Sequence, residues 1–361
     1  MEKYRVGIVG ATGMVGQRFI SLLKDHPWFE VNCVAASARS AGKTYREAVG
    51  ERWAFSWEIP EKVAGMTVVD AADIDEVSKH VDFVFCAVDM KKDEIRALEE
   101  AYAKHEIPVV SNNSACRGIE DVPMVVPEIN ADHLAVIEAQ KKRLGTKNGF
   151  IAVKPNCSIQ SYVPALTPLL DFEPEKVSVC TYQAISGAGK TFKTWPEMVD
   201  NVIPYIGGED EKSENEPLKL WGHVEDGKIV NAALPVISAQ CLRVACSDGH
   251  MAAVSVSFKK KPTIEQIKER WANYETEAQR LELPSAPKPF LQYFEAPSRP
   301  QTRLDRDFQN GFGVSIGRLR EDKLFDYRFV CLSHNTVRGA AGGGILTAEL
   351  LCRKGYIPHR V

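Results

Sequence analysis

Apolar and polar positions alternate in two different ways along the chain. In the first half, apolar runs suited to buried strands, at residues 6–9, 29–37, 81–89 and 107–114, alternate with amphipathic stretches such as residues 91–106. Strands that alternate with helices form a doubly wound, mainly parallel sheet with helices on its faces. We therefore predict an α/β domain whose ligands bind at the carboxyl ends of the strands.

The second half has a different pattern. Strand-like alternation recurs at residues 176–186, 249–259, 311–320 and 324–335, and the last two segments are joined by a short polar turn. Only two longer helices interleave, one following Ser158 and one at residues 263–278. This arrangement predicts a second domain of the α+β type, built on a mixed or antiparallel sheet.

The composition narrows the class of protein. The chain has 361 residues, of which 44% are hydrophobic and 26% charged, and its formal net charge is −3. The length suggests two domains, and the weak negative charge argues against nucleic acid or membrane surfaces as partners. The N-terminal residues enter a strand pattern without a signal-peptide core, and the nine cysteines show no CxxC pair or Cys/His metal spacing. We expect a cytoplasmic protein without disulfides and without a bound metal.

A glycine turn lies between the first strand and the first helix. In "YRVGIVGATGMVGQRFISLL", three glycines in GxxGxxG spacing separate an apolar run from a helical pattern. Glycines let the backbone approach a pyrophosphate, which then lies against free N–H groups at the helix N-terminus. The context between strand and helix is the one that a dinucleotide fingerprint requires. We predict a Rossmann-type domain in which the cofactor contacts Gly10, Thr12, Gly13, Met14 and Val15.

The end of the second strand indicates which dinucleotide is bound. An Asp or Glu at this point would bond the ribose 2′-hydroxyl of NAD, but the sequence there is "SARSAGK", with no acid. Ser37, Arg39 and Ser40, together with Lys43, offer hydroxyls and positive charge, which suit a 2′-phosphate. We predict NADP as the cofactor.

A single cysteine stands where a strand stops. In "GFIAVKPNCSIQ", the apolar run ends at Lys154-Pro155-Asn156, Cys157 follows, and a helical stretch comes next. Backbone N–H groups at a helix start can lower the pKa of a thiol and hold an oxyanion. His250, which a turn at Asp248-Gly249 delivers to a strand start, is a candidate acid or base. These residues alone leave two interpretations open, a nucleophile and a buried packing thiol.

Two further polar loops lie at predicted strand ends. The loop "SNNSACR" ends in Arg117, whose position favours contact with an anion. The segment "AISGAGKT" nearly fits a phosphate-binding P-loop, but Ala184 replaces the first glycine. A kinase or NTPase is therefore disfavoured, and we assign Ser186 and Gly187 to the phosphate or nicotinamide of the dinucleotide.

The motifs together resemble those of aspartate-β-semialdehyde dehydrogenases, of the branch found in archaea, fungi and some bacteria. The resemblance runs from "GIVGATGMVGQRF" through "SNNSACR", "KPNCSIQ", "TYQAISGAGK" and "RVACSDGH" to "HNTVRGAAGGGILTAELL". It implies an NADP-binding domain of residues 1–154 plus 335–361, to which the C-terminal helix returns, and a catalytic and dimerisation domain of residues 155–334. It also implies a homodimer or homotetramer.

The resemblance assigns a role to each matching position. Cys157 would be the nucleophile, His250 the acid/base, and Gln183 would orient the acyl intermediate. The implied substrate contacts are Arg243 for the α-carboxylate, Glu216 for the ammonium, Lys219 and Arg117 for the phosphate, and Asn156 beside the nucleophile. Asn335 would face the nicotinamide.

The implied reaction is the reductive dephosphorylation of L-aspartyl 4-phosphate to L-aspartate 4-semialdehyde by NADPH. This step serves the biosynthesis of lysine and diaminopimelate, methionine, threonine and isoleucine. Cysteine suits the chemistry because a thiolate displaces phosphate and a thioester accepts hydride, and His250 as an imidazolium would stabilise the thiolate. Two alternatives stay open: a reductase of another activated acyl group, such as malonyl-CoA, and a nucleotide-sensing binding protein without turnover.

Overall fold

The N-terminal part of the chain is built on a parallel sheet. The computed structural model describes residues 2–359. Its first sheet contains β1 (Tyr4–Val9), β2 (Phe29–Ala36), β3 (Val69–Asp70), β4 (Phe83–Cys86), β5 (Val109–Ser111) and β6 (Ile151–Val153). The six strands pair in parallel in the order β3-β2-β1-β4-β5-β6. The strand order reverses between β1 and β4, which is where doubly wound sheets bind their ligands.

Helices cover this sheet, as the alternation of the sequence predicts. They are α1 (Met14–Leu23), α2 (Tyr45–Val49), α3 (Glu61–Ala64), α4 (Ile74–Ser78), α5 (Lys92–Lys104) and α6 (Ile137–Leu144). Helix α1 buries Phe19, Ile20 and Leu23, which are spaced for one helix face. The predicted doubly wound domain is confirmed, although β4 and β5 are shorter than the apolar runs because their polar ends leave the sheet at its ligand edge.

The second sheet is mixed, as predicted. Its strands are β7 (Pro174–Gln183), β8 (Val202–Ile203), β11 (Val236–Val244), β12 (His250–Phe258), β13 (Leu291–Phe294), β14 (Val314–Glu321) and β15 (Tyr327–Ser333), and a separate hairpin pairs β9 (His223–Glu225) with β10 (Lys228–Val230). The seven strands have the order β13-β14-β15-β12-β7-β11-β8. Only the β7–β11 and β13–β14 pairs run parallel among these neighbours.

The helix predicted after the cysteine is broken into short pieces. A 3₁₀ turn at Ser158–Gln160 precedes α7 (Tyr162–Leu166), and another 3₁₀ segment follows at Thr167–Phe172. Pro164 and Pro168 lack the N–H that a continuous helix needs, so the expectation of one long helix is wrong. The remaining helices of this part are α8 (Glu209–Leu220), α9 (Ile264–Ala272), α10 (Glu277–Arg280) and α11 (Thr302–Asp305).

The C-terminal helix α12 (Gly342–Arg353) returns to the first sheet. Its Ile345 and Leu346 share a core with Ile8 and Phe19. This confirms the predicted return of the chain, and the exact boundary between residues 154 and 155 stays a prediction. Within residues 2–359, none of the helices combines the length and apolar character that a bilayer crossing demands.

A buried ion pair anchors the segment that precedes α12. Arg338, in a π-helical turn at Val337–Ala341, donates to Glu128 Oε1 at 2.8 Å and to the carbonyl of Phe312 at 2.9 Å. Its guanidinium lies 4.4 Å from the centroid of the Phe290 ring. Both charged side chains are almost inaccessible to solvent, so removal of either one would leave the other buried without its partner.

Replacing Arg338 with methionine should lower the free energy of unfolding by about 3–5 kcal/mol, because Glu128 would stay buried without its partner. Chemical denaturation followed by circular dichroism measures the loss. The double variant Arg338→Met/Glu128→Gln should recover part of it. A single variant as stable as wild type would show that the pair does not anchor the segment.

Candidate active site

A cavity opens at the carboxyl ends of the strands around the switch point. Its volume is about 590 Å³, and its lining includes Gly10, Thr12, Gly13, Ser37, Arg39, Ser40, Lys43 and Arg52. Gly10 has a φ of +92°, and a Cβ there would lie 2.4 Å from the carbonyl oxygen of Ala87. Three cations line the cavity and no acid ends β2, so the residues fit a dinucleotide that carries a 2′-phosphate.

Asn335 links the loop at Ser186 to the turn before His250. Its Nδ2 donates to Ser186 Oγ at 2.9 Å, and its Oδ1 accepts from the Gly249 N–H at 2.8 Å. Ser186 also lines a cavity of about 280 Å³ together with Met14. Val15 is half-buried and packs against the core of the first sheet, and its contact with a cofactor stays a prediction.

Cys157 lies in the loop between β6 and α7. The residue is half-buried and caps the 3₁₀ turn that starts at Ser158. The C-terminal segment closes on it, since a Cβ at Gly339 would lie 2.9 Å from the Cβ of Cys157. Any larger residue at position 339 would push the C-terminal segment away from the thiol.

Helix α8 holds the loop that carries the thiol. Glu209 Oε1 accepts from Asn156 Nδ2 at 2.9 Å, and Glu216 Oε2 accepts from the Asn156 backbone N–H at 2.5 Å. Between them, Ser213 Oγ lies 2.9 Å from Ser158 Oγ. The three α8 residues are spaced i, i+4 and i+7, so they share one face of the helix. This polar face meets the thiol loop at three points.

Gln183 and Lys212 complete the surroundings of Glu209. Gln183, the last residue of β7, donates to Glu209 Oε2 at 3.2 Å, and Lys212 Nζ lies 2.8 Å from Glu209 Oε1. Burial by itself would raise the pKa of Glu209, but its bonds to Lys212, Gln183 and Asn156 outweigh burial and lower it. An ionised carboxylate and an ammonium therefore stand side by side next to the thiol loop.

Glu216 and Lys219 are both hydrogen-bonded to protein groups in this structure. Glu216 uses both carboxylate oxygens on protein groups, since Oε1 accepts from Arg117 Nη1 at 2.9 Å and Oε2 from Asn156. Lys219 Nζ donates at 2.7, 2.7 and 3.0 Å to three carbonyls, those of Arg117, Ile119 and Val122. Three acceptors occupy all three N–H bonds of the Lys219 ammonium, so Lys219 as placed has no N–H left for a phosphate, while each Glu216 oxygen accepts one bond; the implied roles of both residues stay predictions.

His250 and Arg243 converge on Gly187. The Nδ1 atom of His250 accepts from the Ala184 N–H at 3.0 Å, and in the described part of the chain its Nε2 has no hydrogen-bond partner. A Cβ at Gly187 would lie 3.0 Å from His250 Nε2 and 2.8 Å from Arg243 Nη1. Because Nδ1 accepts, the ring proton is assigned to Nε2, which leaves an N–H facing the site.

Burial and charge act against each other at the thiol. Burial raises the pKa of Cys157, and the Glu209 carboxylate raises it further, while Lys154, Arg243 and Arg117 act in the opposite direction. Lys154 is itself buried, which lowers the pKa of its ammonium to about 7. The thiolate therefore depends on nearby cations.

The histidine does not supply one of those cations. Burial and the Arg243 guanidinium lower the pKa of His250 well below its ordinary value. This direction disfavours the imidazolium that the resemblance implies, whose role in stabilising the thiolate stays a prediction. A neutral imidazole is instead an N–H donor for an oxygen that gains negative charge.

Sequence reasoning missed four residues of this site: Lys154, Glu209, Lys212 and Gly339. The segment "EDEKSENEPLK" contains Glu-x-x-Lys twice, at 209–212 and 216–219, so the motif alone could not identify the pair that faces the site. Lys154 and Gly339 stand inside segments already singled out, "KPNCSIQ" and "HNTVRGAAGGG". Over residues 2–359, no group of three His, Cys, Asp or Glu side chains is arranged to hold a metal ion.

These features define a class of protein. The fold combines a glycine turn and a cationic cavity on a parallel sheet with a half-buried cysteine near a carboxylate and an arginine, and a histidine stands beside that arginine. This combination is typical of a dinucleotide-dependent dehydrogenase that works through a cysteine.

Comparison with known proteins identifies the family. The family model described as "Semialdehyde dehydrogenase, NAD binding domain" matches residues 5–137, and that described as "Semialdehyde dehydrogenase, dimerisation domain" matches residues 166–338. The aspartate-semialdehyde dehydrogenase of Schizosaccharomyces pombe is 45% identical over 98% of this chain and 99% of its own length. That of Archaeoglobus fulgidus is 43% identical over 98% and 100%. The chain belongs to the aspartate-semialdehyde dehydrogenase family.

Solved structures agree with this assignment. The aspartate-semialdehyde dehydrogenase of Candida albicans, solved with NADP, superposes with a TM-score of 0.89 at 39% identity, covering 99% of this chain and 100% of that one. Aspartate-semialdehyde dehydrogenase II of Vibrio cholerae, at 24% identity, shares the fold with a TM-score of 0.73 over 98% and 100% of the two chains. The predicted family, with its archaeal and fungal relatives, is confirmed, and the malonyl-CoA alternative is not favoured.

Alkylation of Cys157 should accelerate with pH through a thiol pKa above the ordinary cysteine value, because burial and Glu209 both disfavour the thiolate. Iodoacetamide rates measured from about pH 5 to 10, with peptide mass spectrometry to assign the label, test this. Cys157→Ser gives the background from the other thiols. A rate already on its plateau near about pH 6 would indicate a thiolate–imidazolium pair and contradict the neutral His250.

Proposed function

We propose that this chain is an aspartate-semialdehyde dehydrogenase that reduces L-aspartyl 4-phosphate to L-aspartate 4-semialdehyde with NADPH and releases phosphate. The observation that carries the proposal is a half-buried thiol, Cys157, close enough to Glu209 and Arg243 for their charges to shift its pKa, with His250 beside the same arginine. We place the reaction in the biosynthesis of lysine and diaminopimelate, methionine, threonine and isoleucine. A cytoplasmic location is supported by nine unpaired cysteines.

Cys157 makes the acyl group reducible. Its thiolate attacks the carbonyl carbon of the acyl phosphate, the C–S bond forms as the C–O bond to phosphate breaks, and the one proton consumed ends on the phosphate. NADPH, when bound, supplies a hydride to the carbon of this thioester. His250 Nε2–H stabilises the oxygen that then carries negative charge, and the collapse of that oxyanion releases the aldehyde and restores the Cys157 thiolate.

The charged groups around the thiol match the charges of the substrate. Arg243 offers a planar fork to the α-carboxylate, and Glu209 replaces Glu216 as the partner of the ammonium. Lys212 and Arg117 are left for the phosphate. Gln183 and Asn156 act by holding Glu209 and the thiol loop in place.

The cofactor assignment rests on the larger cavity. Gly10 and Gly13 admit the pyrophosphate to the start of α1, and Arg39, with Ser37 and Ser40, faces the 2′-phosphate. Ser186, Gly187 and Asn335 lie toward the nicotinamide end. The Candida albicans enzyme, which was solved with NADP, supports the same choice.

Cys157→Ser should reduce kcat/KM by about a thousandfold or more in the assay with aspartate semialdehyde, phosphate and NADP, because serine is not ionised at neutral pH and its alkoxide leaves poorly. Steady-state formation of NADPH measures the effect. Cys352→Ser, which alters a half-buried thiol in α12, is the matched control and should retain wild-type rates. Undiminished hydride transfer in Cys157→Ser would exclude covalent catalysis.

Arg39→Ala should raise KM for NADP by about tenfold or more and leave KM for NAD unchanged, because a charge-assisted bond to the 2′-phosphate is lost. Initial rates with each dinucleotide measure the ratio. Arg46→Ala, which removes an exposed arginine of the same domain outside the cavity, is the control. Equal effects on NADP and NAD would place Arg39 away from the 2′-phosphate.

We propose a homodimer formed through the open face of the second sheet, with a tetramer as a further assembly of such dimers. Tyr182 of β7, opposite Leu242 of β11 in the strand register, points outward at 38% exposure. Val202, opposite Val244, adds an apolar edge at 53% exposure. The dimerisation domain named by the family match supports a contact in this part of the chain.

Val202→Glu should halve the mass of the particle in solution, because the interface would bury a charge without a partner. Light scattering coupled to size-exclusion chromatography measures the mass. Leu324→Glu, at the exposed turn between β14 and β15, is the control and should not change it. An unchanged particle mass in Val202→Glu would show that the interface lies elsewhere on the protein.

A further inference from the structure

One buried carboxylate joins the two loops that bracket the thiol. Glu216 binds Arg117, in the loop that follows β5, and the backbone N–H of Asn156, in the loop that follows β6. The side chains of Arg117 and Glu216 are 10% and 11% exposed. Since Asn156 immediately precedes Cys157, this carboxylate acts one peptide away from the nucleophile.

Arg117 takes its orientation mainly from this contact. Its Nη2 donates to the carbonyl of Asn112 at 3.0 Å, and its Nε has no hydrogen-bond partner among the described residues. Lys219 holds the backbone of the same residue through the Arg117 carbonyl. Glu216 is therefore the charged partner of the guanidinium, which the Asn112 carbonyl also holds, while Lys219 fixes the loop beneath it.

The helix around Glu216 is fastened to the nucleophile segment as well. Pro217 lies inside α8 and cannot donate to the carbonyl of Ser213, four residues earlier. That carbonyl accepts instead from Tyr162 OH at 2.5 Å, in the helix that follows Cys157. The Ser213 carbonyl thus loses a hydrogen bond within α8 because of Pro217 and gains one from Tyr162, in the segment that follows Cys157.

We propose that Glu216 is a positioning residue for the reductive dephosphorylation, which fixes the backbone of the nucleophile and the guanidinium of Arg117 through one carboxylate. The inference rests on the proposed roles of Cys157 and Arg117. It differs from a substrate-binding role because both Glu216 oxygens already accept from protein groups, the Arg117 guanidinium and the Asn156 N–H. A loss of Glu216 should therefore affect the rate of the chemical step and leave the affinity for aspartate semialdehyde nearly unchanged.

Glu216→Gln tests this at nearly constant size. An amide has one acceptor oxygen where the carboxylate has two, so one of the two bonds must be lost. We expect kcat to fall about tenfold or more, with KM for aspartate semialdehyde within about twofold of wild type. Glu209→Gln is the matched variant on the same helix face, and it should raise KM for aspartate semialdehyde instead.

The pH dependence of Cys157 alkylation gives a second measurement, which would not change if Glu216 had only a structural role. Removal of the negative charge leaves Arg117 unpaired, so the pH profile of Cys157 alkylation should shift to lower pH in Glu216→Gln. The shift should disappear in the Arg117→Gln/Glu216→Gln double variant. The other charged groups that act on the thiol, Lys154, Glu209 and Arg243, are the same in both variants, as is His250 beside Arg243.

Glu216→Asp covers the case in which the glutamine variant fails to fold. Aspartate keeps the charge but is one methylene too short to reach both partners, so kcat should fall while the alkylation profile stays at the wild-type pH. A raised KM for aspartate semialdehyde with kcat retained, or wild-type kinetics in either variant, would overturn the proposal. A wild-type enzyme inactive with aspartate semialdehyde would instead refute the proposed function.

Discussion

The hydrogen bonds between helix α8 and Asn156 decide where the thiol stands. The loop around Cys157 has little regular structure of its own, since β6 stops at Val153 and the following turn spans three residues. Its position must therefore come from tertiary contacts, and two carboxylates of α8 provide them. Hydrogen bonds to charged groups contribute about 1.5–3 kcal/mol each, enough to hold a short loop against its conformational entropy. The position of the Cys157 thiol in the site therefore depends on the face of α8 that carries Glu209 and Glu216.

The same arrangement sets the electrostatics of the site. Burial disfavours every charge in it, yet an ionised Glu209 stands beside Lys212, and Arg243 lies close to a neutral His250. A substrate with one ammonium, one carboxylate and one phosphate would supply the charges that these groups lack. The site is thus arranged so that substrate completes its charge balance.

Much of this could be predicted from the sequence, and the failures have physical causes. The order of strands and helices, the glycine turn and the cysteine between two domains follow from local patterns, which is why they are confirmed in the fold. Local patterns do not show which glutamate of α8 faces the site. Glu209 and Glu216 both precede a lysine by three residues, and only tertiary contacts distinguish them. The break in the helix after Cys157 also depends on packing, although the sequence contains the two prolines, Pro164 and Pro168, that favour it. The charge state of His250 depends on burial, which a sequence does not display.

The proposed mechanism depends most on a covalent bond between Cys157 and the acyl group. Rapid mixing of the protein with aspartate semialdehyde and NADP in the absence of phosphate isolates that step, because the thioester cannot be released as acyl phosphate. Covalent catalysis predicts a burst of about one NADPH per active site and an acyl adduct on the Cys157 peptide by mass spectrometry. No burst, or an adduct on another residue, would contradict it.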